Sequence, residues 1–224
     1  LFPYLCIMPN PTSTIILLCI LAYLTGAIPF SLWAGKIFFR IDIREHGSGN
    51  AGATNAMRVL GLRLGFPVLL LDILKGWLAV KYAVIFKVYL PGSTELMNLS
   101  IALGVLAVLG HIFPVYAGFK GGKGVASIFG VLLALSPLAT SCAVGIFLLS
   151  LFITRYVSLS SMLAGISFPI WIIFVFGTEH LSLKIFSAVV AILIIITHKK
   201  NIQRLLKGEE NKANFLFKGK VEER

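Results

Sequence analysis

The sequence predicts an all-α integral membrane protein with seven transmembrane helices, the N-terminus outside and the C-terminus cytoplasmic. Three observations lead there. Hydrophobic residues make up 58% of the 224 residues and charged residues 13%, against about 45–50% and about 25% in an ordinary soluble domain. The apolar residues fall in runs comparable with the roughly 20 residues a spanning helix needs. The basic residues, which give a net charge of +11, sit in short segments between those runs, as Lys and Arg do in cytoplasmic loops.

Four runs read plainly as spans: residues 15–37, 65–86, 99–116 and 183–197, with a shorter fifth at 161–176. The run 125–153 is long enough for one tilted helix or two short ones. Pro137 lies near its middle, where a proline breaks the hydrogen-bond ladder. Basic clusters at 36–63, 120–123, Arg155 and 199–224 all fall on one side only if the run splits there, so the positive-inside rule favours seven helices. Each half then rises about 20 Å, which implies a locally thin or funnelled bundle. Lys81 and Lys87, near the outer end of the second span, run against this topology and are read as snorkelling to the far interface. Residues 15–33 follow no basic run and read as a retained helix, not a signal peptide. A single membrane-embedded domain over 1–224 is expected, with its core at 13–211 and a basic cytoplasmic tail at 212–224.

The basic residues form no continuous stripe, so nucleic acid is not an expected partner; membrane lipid and a phosphorylated substrate are. Cys6, Cys19 and Cys142 lie in or beside apolar runs at no ligand-like spacing and read as small hydrophobes. No metal or cofactor is expected.

The polar chemistry gathers on the inner side in three places. The first loop, residues 44–58, contains Gly47, Gly49 and Gly52, which free the backbone to curl around an anion. Ser48, Asn50, Thr54 and Asn55 add neutral donors, and Arg58 suits a phosphate through two parallel hydrogen bonds. The competing reading is a Gly/Asn-rich turn. The second segment, residues 110–127, carries Gly121, Gly122, Lys123 and Gly124 just before a helix expected near Val125. Backbone N–H groups, a helix N-terminus and a lysine make an anion site. A nucleotide-binding loop would need Ser or Thr after the lysine, where Gly124 stands. The third place comprises residues 154–161, with Arg155, Ser158, Ser160 and Ser161, and residues 198–210, where His198 and Asn201 share a helix face. The latter stretch also reads as a basic amphipathic helix on anionic lipid. Asp72 and Lys75 lie i, i+3 within the second span, either as a functional pair or as an ion pair that orients the helix. His111 reads first as a packed histidine.

Together, G-S-G-N-A-G-A-T-N-A-M-R-V-L-G (47–61), G-H-I-F-P-V-Y-A-G-F-K-G-G-K-G-V-A-S (110–127), T-R-Y-V-S-L-S-S (154–161) and H-K-K-N-I-Q-R-L-L-K-G-E-E (198–210) resemble the bacterial acyl-phosphate:glycerol-3-phosphate acyltransferase family of the PlsY type. The resemblance runs from about Tyr23 to Asn211. It implies a seven-helix enzyme of the bacterial inner membrane with its active site facing the cytoplasm. It also implies transfer of a fatty acyl group from acyl phosphate to the sn-1 hydroxyl of glycerol 3-phosphate, giving lysophosphatidic acid and phosphate. On these positions Ser48 and Arg58 contact substrate, and Lys123 with the Gly121, Gly122 and Gly124 backbones cradles phosphate. Ser161, His198 and Asn201 complete the pocket, and Glu210 orders the tail. Which of Ser158, Ser160 and Ser161 serves the third segment stays open. Ser127 stands where the family commonly has Thr.

Acyl phosphate is a mixed anhydride with a good leaving group, so positioning and charge neutralisation can carry much of the rate. The proton acceptor for the glycerol hydroxyl is either His198 or a substrate phosphate. A transporter for a phosphorylated metabolite is the rival class, but no internal repeat supports it. The His-x4-Asp motif of another acyltransferase class is absent, since no histidine has Asp five positions on.

Overall fold

The computed structural model describes residues 11–213 and is all-helical over that range. The chain divides into two compact units, Leu1–Pro137 and Leu138–Arg224. Cys6 and residues 214–224 of the tail lie outside the described residues.

In the first unit α1 (Pro11–Ala27) is followed by a short α2 (Phe30–Ala34) and a π-helical turn, Gly35–Phe39. The interruption falls at Ile28–Pro29 because proline has no N–H to continue the ladder. α3 (Ala53–Leu60) and α4 (Leu62–Ile85) meet at Gly61, whose φ of 80° a residue with a Cβ adopts only under strain. α5 (Thr94–Ile112) opens on Ser93, whose hydroxyl accepts from Leu96 N at 3.1 Å. α6 (Val125–Leu135) is short.

The helices of this unit pack through small residues. α4 lies against α6 with Gly76 facing the Ser127 carbonyl and Gly130 facing that of Ile73, at separations that leave no room for a Cβ. Gly26 of α1 meets the Ala107 backbone of α5 in the same manner. Lipid offers no hydrophobic drive between helices, so such backbone approach and polar contacts do the holding. Thr25 and Tyr82 supply one such contact, hydroxyl to hydroxyl at 2.9 Å.

The second unit holds α7 (Pro137–Thr154), α8 (Val157–Ile170) with a π-helical turn Trp171–Val175, α9 (Leu181–Thr197) and α10 (Lys199–Leu206). α8 packs on α9. α9 and α10 form a bent pair at 57°, with His198 at the bend.

The expected break at Pro137 is present: α6 stops at Leu135 and α7 starts at Pro137. Among the described residues, four helical stretches can cross a membrane by length and composition: Thr12–Phe39, Thr94–Ala117, Pro137–Thr154 and Val157–Val175. A fifth is added if the bent pair Leu181–Thr197 and Lys199–Leu206 counts as one span. α4 is long enough but carries Asp72, Lys75 and Lys81.

Lys81 has a partner within the first unit. Its Nζ turns to the Ala134 carbonyl in the last turn of α6, at 3.5 Å, and lies 5.5 Å from the Trp77 ring centroid. A helix end leaves carbonyls without partners, and this cation satisfies one of them.

Candidate active site

The first loop is shaped from within. Asn55, at the start of α3 and 1% exposed, accepts from Ser48 N at 2.8 Å through Oδ1. Its Nδ2 donates to the carbonyls of Ile43 at 2.9 Å and His46 at 3.0 Å. Every polar atom of this side chain is engaged in holding the loop. Gly47, at φ 63°, packs where a Cβ would overlap Asn55 Oδ1. Gly49 also has positive φ, but Gly52 is extended and stands just before α3. Ser48, Asn50 and Arg58 remain half-buried around this frame.

Sequence reasoning missed the tie between the first and second segments. Asp42 accepts from the Arg44 backbone N at 3.0 Å, and its two oxygens take Arg44 Nε and Nη2 at 3.0 and 2.6 Å. Arg44 Nη1 then donates to the carbonyls of Ala117 at 3.1 Å and Lys120 at 3.3 Å. The Arg44 hydrogen bond holds the Asp42 carboxyl below its ordinary pKa, against the opposing effect of burial, and the same bond raises that of Arg44. An Asp two residues before an Arg at the lip of a glycine loop was the available signal. Ser31 of α2 adds a buried bond to the Ala51 carbonyl at 2.9 Å.

The second segment folds back over the end of α5. Gly121 N donates to Ile112 O at 3.1 Å, and Gly122 N to His111 O at 3.2 Å. These are carbonyls that the helix end leaves open. The two N–H groups are therefore engaged on α5. What the segment offers an anion is Lys123, half-buried, and the first turn of α6, which begins after Gly124 at φ 80° with no side-chain cap.

Asp72 and Lys75 pair in the same unit, Nζ to Oδ1 at 2.8 Å, with side chains 2% and 3% exposed. Lys75 Nζ also donates to Ile28 O at 2.9 Å, a carbonyl in the gap between α1 and α2. The geometry matches the reading of an ion pair that orients the helix.

In the second unit one carboxylate gathers the third segment. Glu210 Oε1 accepts from Ser158 Oγ at 2.8 Å and Asn201 Nδ2 at 2.7 Å, and Oε2 from Arg204 Nε at 2.8 Å. Arg155, exposed and at φ 60°, offers its carbonyl to Ala213 N at 2.8 Å. Glu210 thus ties the stretch after α10 to α8 and α10. Ser160 Oγ donates to Tyr156 O at 2.9 Å and lies 3.2 Å from Ser150 Oγ. Ser161 Oγ donates to Val157 O within its own helix at 2.8 Å.

His198, 3% exposed, places Nδ1 2.8 Å from the Ile194 carbonyl. A carbonyl only accepts, so Nδ1 carries the proton and Nε2 is the basic nitrogen of the neutral ring. Asn201, 5% exposed, follows on α10.

A model of the glycerol-3-phosphate acyltransferase family matches residues 16–208. The chain belongs to the glycerol-3-phosphate acyltransferase family. A glycerol-3-phosphate acyltransferase from Chlorobaculum tepidum is 44% identical over 226 aligned residues, covering 90% of this chain and 97% of the relative. One from Staphylococcus carnosus is 43% identical, covering 90% and 99%. Two crystal structures of PlsY (YgiH), an integral membrane glycerol 3-phosphate acyltransferase, are similar along 91% of this chain and 99% of theirs. The glycerol 3-phosphate form gives a TM-score of 0.80 at 39% identity, and the lysophosphatidic acid form 0.78 at 38%. The acyltransferase family likeness thus spans both units and reaches into all four sequence segments.

Proposed function

We propose that this protein transfers a fatty acyl group from acyl phosphate to the sn-1 hydroxyl of glycerol 3-phosphate, releasing lysophosphatidic acid and phosphate. The observation that carries the reading is the likeness, over 91% of the chain, to PlsY in both its glycerol 3-phosphate and its lysophosphatidic acid form. The chain works as one domain in the bacterial inner membrane, crosses it seven times with the N-terminus outside, and faces the cytoplasm with its reacting groups. The break at Pro137 and the internal neutralisation of Asp72 by Lys75 support seven spans, since α4 then enters lipid without an unpaired charge at its centre.

Arg58 and Lys123 neutralise phosphate, with Ser48, Asn50 and the start of α6 as neutral donors. Arg155 and Ser161 assist in the second unit; the Ser161 bond to its own helix is one a phosphate oxygen can replace. Ser158 acts through Glu210. His198 binds and orients the glycerol hydroxyl, Asn201 steadies the developing oxyanion, and no metal or cofactor takes part. The hydroxyl oxygen attacks the acyl carbon, the acyl–phosphate bond breaks, and the hydroxyl proton leaves to His198 Nε2 or to a phosphate oxygen.

The deciding experiment gives purified protein in lipid glycerol 3-phosphate with either palmitoyl phosphate or palmitoyl-CoA. Lysophosphatidic acid from palmitoyl phosphate alone is expected; no transfer from any donor sinks the proposal. His198→Gln separates the two proton acceptors: measurable turnover is expected if substrate phosphate takes the proton. Turnover at background with unchanged glycerol 3-phosphate binding assigns the proton to His198.

A further inference from the structure

The second segment is gripped from two sides by one residue, and that residue is itself gripped. His111, 7% exposed in the last turn of α5, accepts Gly122 N on its backbone oxygen at 3.2 Å. Its ring also abuts Gly122, so close that a Cβ there would overlap Nε2. A Cβ on Gly121 would overlap the His111 carbonyl. The ring's other nitrogen, Nδ1, faces Asp72 Oδ1 of α4 at 3.6 Å.

Asp72 is 1% exposed and neither of its oxygens has an aligned hydrogen-bond partner among the described residues, although Lys75 Nζ lies 2.8 Å away. A buried carboxylate left in that state costs several kcal/mol unless nearby charge and polar groups compensate. It lines a cavity of about 10 Å³ together with Lys75, His111, Ser31, Gly121 and Gly122. That is room for a single water. The carboxylate therefore attracts the imidazole N–H at Nδ1, directly or through such a water, and sets the plane of the ring against Gly122. Lys75 balances the charge and anchors the pair to the Ile28 carbonyl.

We infer that Asp72 and His111 form a positioning pair for acyl transfer: Asp72 fixes the His111 ring, His111 fixes the Gly121–Gly122 backbone on the end of α5, and this sets Lys123, one residue further on. Neither residue touches substrate. The inference rests on the proposed role of Lys123 toward phosphate, and its test has an arm that does not need activity.

Three variants are made in the full chain in lipid. His111→Ala leaves the Asp72–Lys75 pair intact. Asp72→Asn with Lys75→Met removes both buried charges together, so that neither is left unpaired. His111→Asn keeps a donor where Nδ1 stood. Hydrogen exchange over residues 118–126 is read by mass spectrometry, with the α8–α9 peptides as internal control. Both disruptive variants are expected to exchange faster at 118–126 alone, and His111→Asn to lie nearer the wild type. With palmitoyl phosphate, both lower kcat/KM by roughly tenfold to 100-fold, a size typical of misplaced binding groups. In a Lys123→Ala background they lower it no further, because groups acting through one another are not additive.

Unchanged exchange at 118–126, or a full additional loss in the Lys123→Ala background, overturns the inference. Faster exchange in every peptide shows a merely structural role and also overturns it. A wild type that transfers no acyl group removes the functional reading, while localised exchange still upholds the grip of Asp72 and His111 on the segment.

Discussion

In the unit Leu1–Pro137 the polar segments are fastened by many bonds to backbone groups, whereas in Leu138–Arg224 a single carboxylate gathers three side chains. The first loop rests on Asn55, Arg44 and Ser31, each bonding main-chain atoms, and the second on the open carbonyls of α5. The third segment rests on Glu210, which takes Ser158, Asn201 and Arg204 together. The distributed arrangement loses one bond at a time and keeps its shape. The single-point arrangement is economical, but removing its centre releases everything at once.

The largest effect is therefore expected from Glu210→Ala. Three charge-assisted bonds vanish, each worth about 1.5–3 kcal/mol, so lysophosphatidic acid formation is expected to fall on the order of 100-fold or more. Circular dichroism is expected to show the helices retained. Near-normal turnover in this variant would break the contrast between the units.

Asn55→Ala comes next. It strands the Ser48 N–H and the Ile43 and His46 carbonyls, a cost of about 1–3 kcal/mol where the groups are buried. Thermal unfolding in detergent should shift down by several degrees, with a partial loss of turnover. A loss as complete as that of Glu210→Ala would mean the first loop also hangs on one residue.

The smallest effect belongs to Asp42 and Arg44, a partly exposed pair worth at most about 1 kcal/mol. The folded carboxyl titrates below its ordinary value, so its contribution is fully present above about pH 4 and fades as pH falls through the lower folded value. Hydrogen exchange over residues 115–121 should be flat from about pH 5 to pH 7 once corrected for intrinsic rates, and accelerate in acid. Asp42→Asn should flatten the acid limb; identical profiles in the two proteins would remove this tie from the account.

What was legible in the sequence was what depends on local order. Pro137 broke the helix where a missing N–H must, Asp72 and Lys75 met because i and i+3 share a face, and the glycines marked loops. The family likeness reached from one terminus nearly to the other through those same short segments. Direction was not legible. Nothing in the order of residues tells whether Gly121 and Gly122 aim their N–H groups outward at an anion or inward at α5, since that depends on where α5 stops. Asn55 reads as a ligand by residue type, and amides bind phosphate and fasten loops with the same atoms. Arg44 and Ser31 escaped notice because their partners, Ala117, Lys120 and Ala51, are backbone carbonyls, which every residue has.

The position of Lys81 has an electrical consequence. α6 is a rod of aligned peptide dipoles, about half a positive charge at its start and half a negative one at its end. In a bilayer the field of such a rod is scarcely screened, and left alone its two poles would partly cancel at a distance. Lys81 meets the negative pole at Ala134, leaving the positive pole, beside Lys123 and Gly124, uncompensated by its opposite. A lysine set at the far end of the helix thus strengthens the pull on an anion at the near end.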